Sequence, residues 1–231
     1  MDRNQTTEAL SFVTHELTTP LASARFHLAA VRREFAGAPE SAHRLEVVEQ
    51  QLERLGRLVG DLLDATRIET GKLHCELERV ALGELLPGVA AVMAPLVGRR
   101  RLELVLPPKC QLFAYLDAAR IEQVLANLVT NAARHSPPDS TITLSLGLGH
   151  HRRRATAVIS VRDRGDGIAV RDLRRIFDPW FTRTVGGMGL GLAVARRIVE
   201  AHGGWIRARS GHGRGTKVSF WLPLALDRKT L

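Results

Sequence analysis

Cysteine is scarce: the 231 residues hold two, Cys75 and Cys110. They fit neither a disulfide framework nor the paired spacing of a metal site, which suits a reducing compartment. No apolar run approaches the roughly 20 residues needed to cross a bilayer. The polar opening Met1-Asp2-Arg3-Asn4-Gln5 is no signal peptide. A cytoplasmic protein, or the cytoplasmic part of a longer one, is therefore expected. Aromatics make up only 5% of the chain, and only four of its 33 basic side chains are lysine. A formal charge of +9 and the runs Arg99–Arg101 and His151–Arg154 invite a nucleic-acid reading. The arginines are spread through both halves with few aromatics between them, so they read as a compositional habit, and no direct nucleic-acid contact is expected. Neither an internal repeat nor a low-complexity segment is present.

What is there begins with a long amphipathic stretch. Leu10, Val13, Leu17, Leu21, Ala24, Leu28, Val31 and Phe35 recur at alternating gaps of three and four, the seam of a helix packed along its length. His15 lies two residues from both Val13 and Leu17, about 200° around the barrel from either, and so faces away from the seam. Glu16 stands beside it. Pro20, five residues on, lacks an N–H and bends the helix one turn beyond the histidine. An exposed imidazole with a neighbouring carboxylate is a candidate nucleophile. Gly37-Ala38-Pro39-Glu40-Ser41 breaks this helix, and a second follows with Leu45, Val48, Leu52, Leu55, Leu62 and Ala65 on its seam, ending near Gly71. A hairpin alone covers two apolar stripes poorly. Pairing two hairpins into a four-helix bundle would cover both, which predicts a homodimer; packing on the rest of the same chain is the alternative.

After Gly71 the period changes, which divides the chain into 1–71 and 72–231. Lys72 to Leu82 reads as a strand, and Gly83 to about Val97 as a helix. Leu102–Leu106 and Leu112–Asp117 read as strands, Ala118–His135 as a helix stopped by Ser136-Pro137-Pro138. Thr141–Leu148 and Ala155–Arg162 read as strands joined by a loop from Gly147 to Arg154. A helix from about Gly189 to His202 precedes a closing hairpin, Trp205–Ser210 and Thr216–Leu222. Strands and helices mixed without strict alternation predict a two-layer α/β sandwich.

Three clusters in this half carry chemistry. Asn127 and Asn131 stand one turn apart on one helix face, at the edge of the apolar set Ile121, Val124, Leu125, Leu128 and Val129, with Arg134 and His135 continuing the stripe. Their amide oxygens suit a hard cation and the arginine suits phosphate oxygens. In Val161-Arg162-Asp163-Arg164-Gly165-Asp166-Gly167 a strand delivers Asp163, and Gly165 and Gly167 permit a tight turn against a ligand. A carboxylate so placed can accept a hydrogen bond from an exocyclic amine such as that of adenine. In Gly186-Gly187-Met188-Gly189-Leu190-Gly191-Leu192 glycines run into a helix whose N-terminal N–H groups can face phosphate. The Lys-Ser/Thr pair of a P-loop is missing.

Together these blocks resemble the sensor histidine kinases of two-component signal transduction. Ser11–Leu21 resembles their H-box, Asn127–Ala132 their N-box, Asp163–Gly167 the first glycine box, Ile176–Arg183 the phenylalanine box, and Gly186–Leu192 the second glycine box. Gly213-Arg214-Gly215-Thr216 follows. The resemblance implies a helical hairpin for dimerisation and phosphotransfer, followed by an ATP-binding sandwich of the histidine kinase/gyrase-type (Bergerat) kind. It implies ATP and Mg²⁺ as cofactors, with Asn131 holding the metal and Asn127 supporting. Asp163 would read adenine, and Gly187, Gly189 and Gly191 would approach the phosphates, with Leu190 and Thr216 in the same motifs. Thr182–Met188 would form a lid. His15 would be phosphorylated with Glu16 as base, and would pass the group to an aspartate of a response regulator receiver domain. Thr19 would orient water for the reverse dephosphorylation. A sensor region upstream is also implied.

The pattern departs from the family in places. Thr18 replaces the usual H-box arginine, and Arg134 and His135 stand where lysine and tyrosine are common; an imidazole still stacks on adenine, less extensively. Gyrase-like ATPases carry a glutamate one turn before the metal-binding asparagine as base for water, and this chain has Asn127 there. A kinase is therefore expected over a nucleotide hydrolase, or over a degenerate dimeric scaffold without phosphotransfer.

Overall fold

The computed structural model describes residues 74–108, 110–151, 154–182, 189–211 and 213–225, together with ten positions between 24 and 60. The chain divides into two compact units, Met1–Leu73 and His74–Leu231. In the first unit the described positions, among them Ala24, Leu28, Val31, Leu45, Val48, Leu52, Leu55 and Val59, are all helical. Val31, Val48 and Leu55 are exposed although they belong to the apolar seams. Pro20 and the connection at residues 37–41 lie outside the described residues.

The second unit is built on a five-stranded sheet. Its strands are β2 (Arg101–Val105), β4 (Thr141–His151), β5 (Arg154–Arg162), β6 (Trp205–Ser210) and β7 (Thr216–Pro223). They run in the order β2-β4-β5-β7-β6. β2 pairs β4 in parallel and every other pair is antiparallel. A separate ribbon joins β1 (Glu78–Ala81) to β3 (Phe113–Leu116). Among the described residues three α-helices complete the unit: α1 (Leu82–Met93), α2 (Ala118–His135) and α3 (Gly191–Ala201).

The period of two along the strands decides what faces the helices. Ile142, Leu144 and Leu146 of β4, Ala157, Ile159 and Val161 of β5, and Phe220 and Leu222 of β7 are buried. They meet the apolar stripe of α2, where Ile121, Val124, Leu125, Leu128 and Val129 are buried as the spacing predicts. The opposite side of the sheet is polar. There the register sets Glu103, Thr143, Arg162, Lys217 and Arg209 in one row across all five strands. One row further lie Ser160 and Ser219, joined through their hydroxyls at 2.9 Å. Beyond them Trp205 and Trp221 stack with ring centroids 5.1 Å apart.

α2 spans the residues the pattern predicts because its ends are chemically marked. Asp117 Oδ1 accepts the Arg120 N–H at 3.1 Å and caps the start. Pro137 and Pro138 cannot continue the helix, and Ser136 Oγ donates back to Ala132 O at 2.6 Å.

Elsewhere the elements differ from expectation. The glycine-, histidine- and arginine-rich stretch from Gly147 to Arg154 is largely strand: β4 runs to His151 and β5 starts at Arg154. Gly149 pairs with Thr156, and a Cβ on it would come within 2.5 Å of Val158 Cγ2. That glycine answers a crowded strand neighbour rather than marking a turn. The strand expected from Lys72 to Leu82 is regular only over Glu78–Ala81. The helix expected to reach Val97 is α-helical to Met93 and tightens to 3₁₀ over Ala94–Val97, where Pro95 has no N–H to give to a carbonyl four residues back. α3 begins at Gly191 rather than Gly189, because Gly189 takes a positive φ of 70°. Among the described residues no helix is long and apolar enough to cross a membrane.

Candidate functional site

Asp163 directly follows β5 and is buried. Its backbone N–H donates to Thr216 O at 2.9 Å, extending the β5–β7 ladder by one link. Its Oδ1 accepts two backbone N–H groups, from Gly165 at 2.8 Å and from Thr216 at 3.0 Å. Hydrogen bonds to a carboxylate contribute about 1.5–3 kcal/mol each, so one oxygen is firmly fixed and the other is left to define the site. Thr216 thus acts through Asp163. Its own hydroxyl sits 2.9 Å from Ser210 Oγ.

The glycines that bracket Asp163 are needed because backbone meets backbone. A Cβ on Gly165 would lie 2.1 Å from His135 O, and one on Gly215 would lie 2.2 Å from Asp163 O. Gly167 has a φ of 79°, and its Cβ would lie 2.2 Å from Gly211 O. The expected close approach is therefore made to the chain's own carbonyls. Ser210 Oγ accepts the Ile168 N–H at 2.8 Å and donates to Gly215 O at 2.8 Å, while the Gly213 N–H reaches Asp166 O at 2.8 Å. The turn after β5 and the turn between β6 and β7 are knitted into one block around the carboxylate.

Asn127 and Asn131 are both half-buried on α2, while Arg134 and His135 at its end are exposed. Asn127 Nδ2 donates to Gly191 O at 3.0 Å and so ties α2 to the first residue of α3. A Cβ on Gly191 would sit 3.4 Å from the Asn127 amide carbon. The start of α3 has no side-chain cap, so its first N–H groups remain available to a ligand. Leu190 is only 1% exposed, so its side chain belongs to the core and it can offer a ligand only backbone.

Ile176 and Phe177 are buried with Ala208, and Phe181 and Leu192 pack against them. The guanidinium of Arg175 lies over the Phe181 ring at 4.7 Å. Gly189 sits directly against the Phe181 carbonyl, 2.6 Å from where its Cβ would be. The residues that flank the expected lid, Phe181 and Gly189, therefore touch, while residues 183–188 with Gly187 lie outside the described residues. So do His15, Glu16 and Thr19.

Sequence reasoning missed His202. It is buried, and its Nε2 accepts the Asp117 N–H at 3.0 Å while Nδ1 lies 2.7 Å from Ile198 O. Its partner is 85 positions away, and no local pattern reveals such a pair. Asp117 Oδ2 also accepts the Glu76 N–H at 3.2 Å. Burial, and then the Asp117 carboxylate, push the nearby Cys75 thiol above its ordinary pKa, with Arg120 opposing. Cys75 and Cys110 are both free thiols.

Comparison with known proteins agrees with this geometry. Residues 116–226 match the family described as histidine kinase-, DNA gyrase B- and HSP90-like ATPase. Residues 5–71 match the His Kinase A (phospho-acceptor) domain. The chain belongs to the sensor histidine kinases and comprises their catalytic core. It is 33% identical over 225 residues to sensor histidine kinase WalK of Bacillus subtilis (strain 168), covering 94% of this chain and 36% of that protein. It is 35% identical over 223 residues to sensor histidine kinase ZraS of Escherichia coli (strain K12), covering 94% and 45%. The chain thus spans less than half the length of these relatives. The full-length ShkA structure in complex with AMPPNP superposes with a TM-score of 0.75 at 25% identity, over 97% of this chain and 47% of that one. The second unit is accordingly a sandwich of the Bergerat kind.

Gly165→Ala is expected to destabilise the second unit by about 1–3 kcal/mol or more in urea unfolding, because the obstructing atom is backbone. Gly147→Ala, with open space around it, should fall within about 0.5 kcal/mol of the parent.

Proposed function

We propose that the chain is an ATP- and Mg²⁺-dependent protein histidine autokinase that phosphorylates His15 and passes the phosphoryl group to an aspartate of a response regulator. Asp163 is the observation that carries this reading: a buried carboxylate with one oxygen clamped by two backbone N–H groups. Such a group presents its second oxygen as a fixed acceptor for the adenine amino group. The uncapped start of α3, with Gly189 and Gly191, suits the phosphates.

The donor set fits Mg²⁺. Among the described residues no cluster of three or more His, Cys, Asp or Glu side chains could cage a metal. Mg²⁺ favours sites that share its coordination between one or two protein oxygens, substrate phosphates and water, and Asn131 supplies the protein oxygen. Bound there, it would neutralise charge on the phosphate oxygens. Asn127 supports the site by holding the first residue of α3.

In the transfer, a ring nitrogen of His15 forms a bond to the γ-phosphorus as the bond to the β-phosphate oxygen breaks and ADP leaves. Glu16 takes the proton from the imidazole. In the second step the phosphoryl group moves from the ring to the regulator's carboxylate, and Thr19 orients water when that acyl phosphate is hydrolysed. A hydrolase reading is disfavoured because Asn127 stands where a general base for water would be needed, and its amide donates to Gly191 O.

Residues 1–71 act as the dimerisation and phosphotransfer hairpin and 72–231 as the catalytic domain. Exposure of Val31, Val48 and Leu55 in a single chain supports burial of that stripe against a second copy. A cytoplasmic location follows from the partner and the nucleotide.

Incubated with γ-labelled ATP and Mg²⁺, the chain should gain acid-labile, base-stable phosphate, and His15→Gln or Asn131→Ala should abolish it. Label persisting in His15→Gln would overturn the assignment. Asp163→Asn keeps an oxygen for the two N–H groups but can present an amide N–H where an acceptor is needed. Its ATP affinity should drop at least about tenfold, equivalent to roughly 1.4 kcal/mol, with folding retained. Thr19→Ala should spare labelling and slow dephosphorylation of the regulator; equal loss of both would refute its separate role.

A further inference from the structure

α2 and α3 run in opposite directions and are joined by two hydrogen bonds, one at each end of their contact. At one end Asn127 Nδ2 donates to Gly191 O at 3.0 Å. At the other the Asp117 N–H donates to His202 Nε2 at 3.0 Å. From 117 to 127 along α2 the rise is about 15 Å, and from 191 to 202 along α3 about 16.5 Å, at roughly 1.5 Å per residue. The two spans match closely enough for both bonds to form at once. Together they fix how far α3 is displaced along α2.

The chemistry at the His202 end is specific. A backbone N–H can only donate, so Nε2 must be the bare nitrogen. Nδ1, 2.7 Å from Ile198 O, must then carry the proton. The ring is buried and is held as the neutral Nδ1–H tautomer from both sides. Asp117 is itself fixed as the cap of α2 and as acceptor of the Glu76 N–H. The imidazole therefore ties α3 to a point that does not yield.

We propose that His202 is a positioning residue for the nucleotide site. By accepting the Asp117 N–H it locks α3 lengthwise on α2, so that the glycine-rich start of α3 is held opposite Asn127 and one helical turn from Asn131. This rests on the nucleotide-binding reading above and adds to it a residue that lies outside every motif of that site. Sliding α3 by a fraction of a turn would carry the Gly191 backbone away from the asparagines without unfolding either helix.

The full chain, labelled with ¹⁵N-histidine, tests this by long-range ¹H–¹⁵N spectra, with His202→Gln assigning the resonance. The expected spectrum shows a protonated Nδ1 and a bare Nε2; a protonated Nε2 overturns the proposal. Affinity for AMPPNP with Mg²⁺ supplies the second readout. His202→Gln retains an acceptor oxygen and should stay within about threefold of the parent, whereas His202→Phe, of similar bulk without an acceptor, should bind at least about tenfold more weakly. Unchanged binding in His202→Phe overturns the proposal, and so does equal loss in both variants. In the double variant Asn127→Ala/His202→Phe the two losses should combine to less than their product, because either one frees the same displacement. Independent sites this far apart would multiply, and that result also overturns it. Should His202→Phe fail to fold, the spectrum and His202→Gln decide. A parent chain that shows the expected tautomer but binds no nucleotide refutes the nucleotide reading. One that binds nucleotide with Nε2 protonated refutes only this proposal.

Discussion

The second unit depends on how one buried carboxylate is held. Asp163 is inside the protein, where an unpartnered charged group would be costly. The chain meets that cost with two backbone N–H groups on a single oxygen, one from the turn after β5 and the other from the first residue of β7, far apart in sequence. Gly165 and Gly215 bring the turns close enough, Thr216 and Ser210 tie them, and β5 and β7 hold their bases in register. Remove any of these and the carboxylate loses its fixed direction. On the reading proposed above, recognition and stability share the same atoms.

α2 extends this constraint to the start of α3. Its buried stripe packs on the sheet, and its half-buried edge carries both asparagines. The Asn127 amide bonds to the first residue of the helix that follows the glycine cluster. In gyrase-like ATPases a carboxylate at that place activates water; an amide there serves geometry instead. On the reading proposed above, a shorter amide in place of a glutamate carboxylate bears on whether water or an imidazole receives the phosphoryl group.

Much of this was legible in the order of residues. α2 could be read from end to end because Asp117 caps it and Pro137-Pro138 stop it, and both signals are local. β5 and β7 likewise fall where their strand-like runs predict. Three things were not legible. The stretch from Gly147 to Arg154 looks like a loop because glycine usually punctuates, yet Gly149 is small to make room for Val158 on the neighbouring strand. Gly165 and Gly167 suggest space for a ligand, whereas the atoms crowding them are carbonyls of His135 and Gly211. His202 looks like any helix-end histidine, because its partner is set by tertiary packing. In each case the deciding neighbour lies on another element, which a one-dimensional pattern does not name.

The sheet has two open rims, β2 and β6. Unpaired rim strands are templates on which foreign strands can grow, the usual start of aggregation. β6 bears exposed Arg207 and Arg209, and β2 bears exposed Arg101 and Glu103. A second sheet approaching either border would have to strip water from these ions, and two β6 borders would also repel each other. Part of the arginine surplus therefore works as insulation: it lets a sheet with unprotected margins stay solitary at the high local concentrations that pairing through the helical hairpin would create.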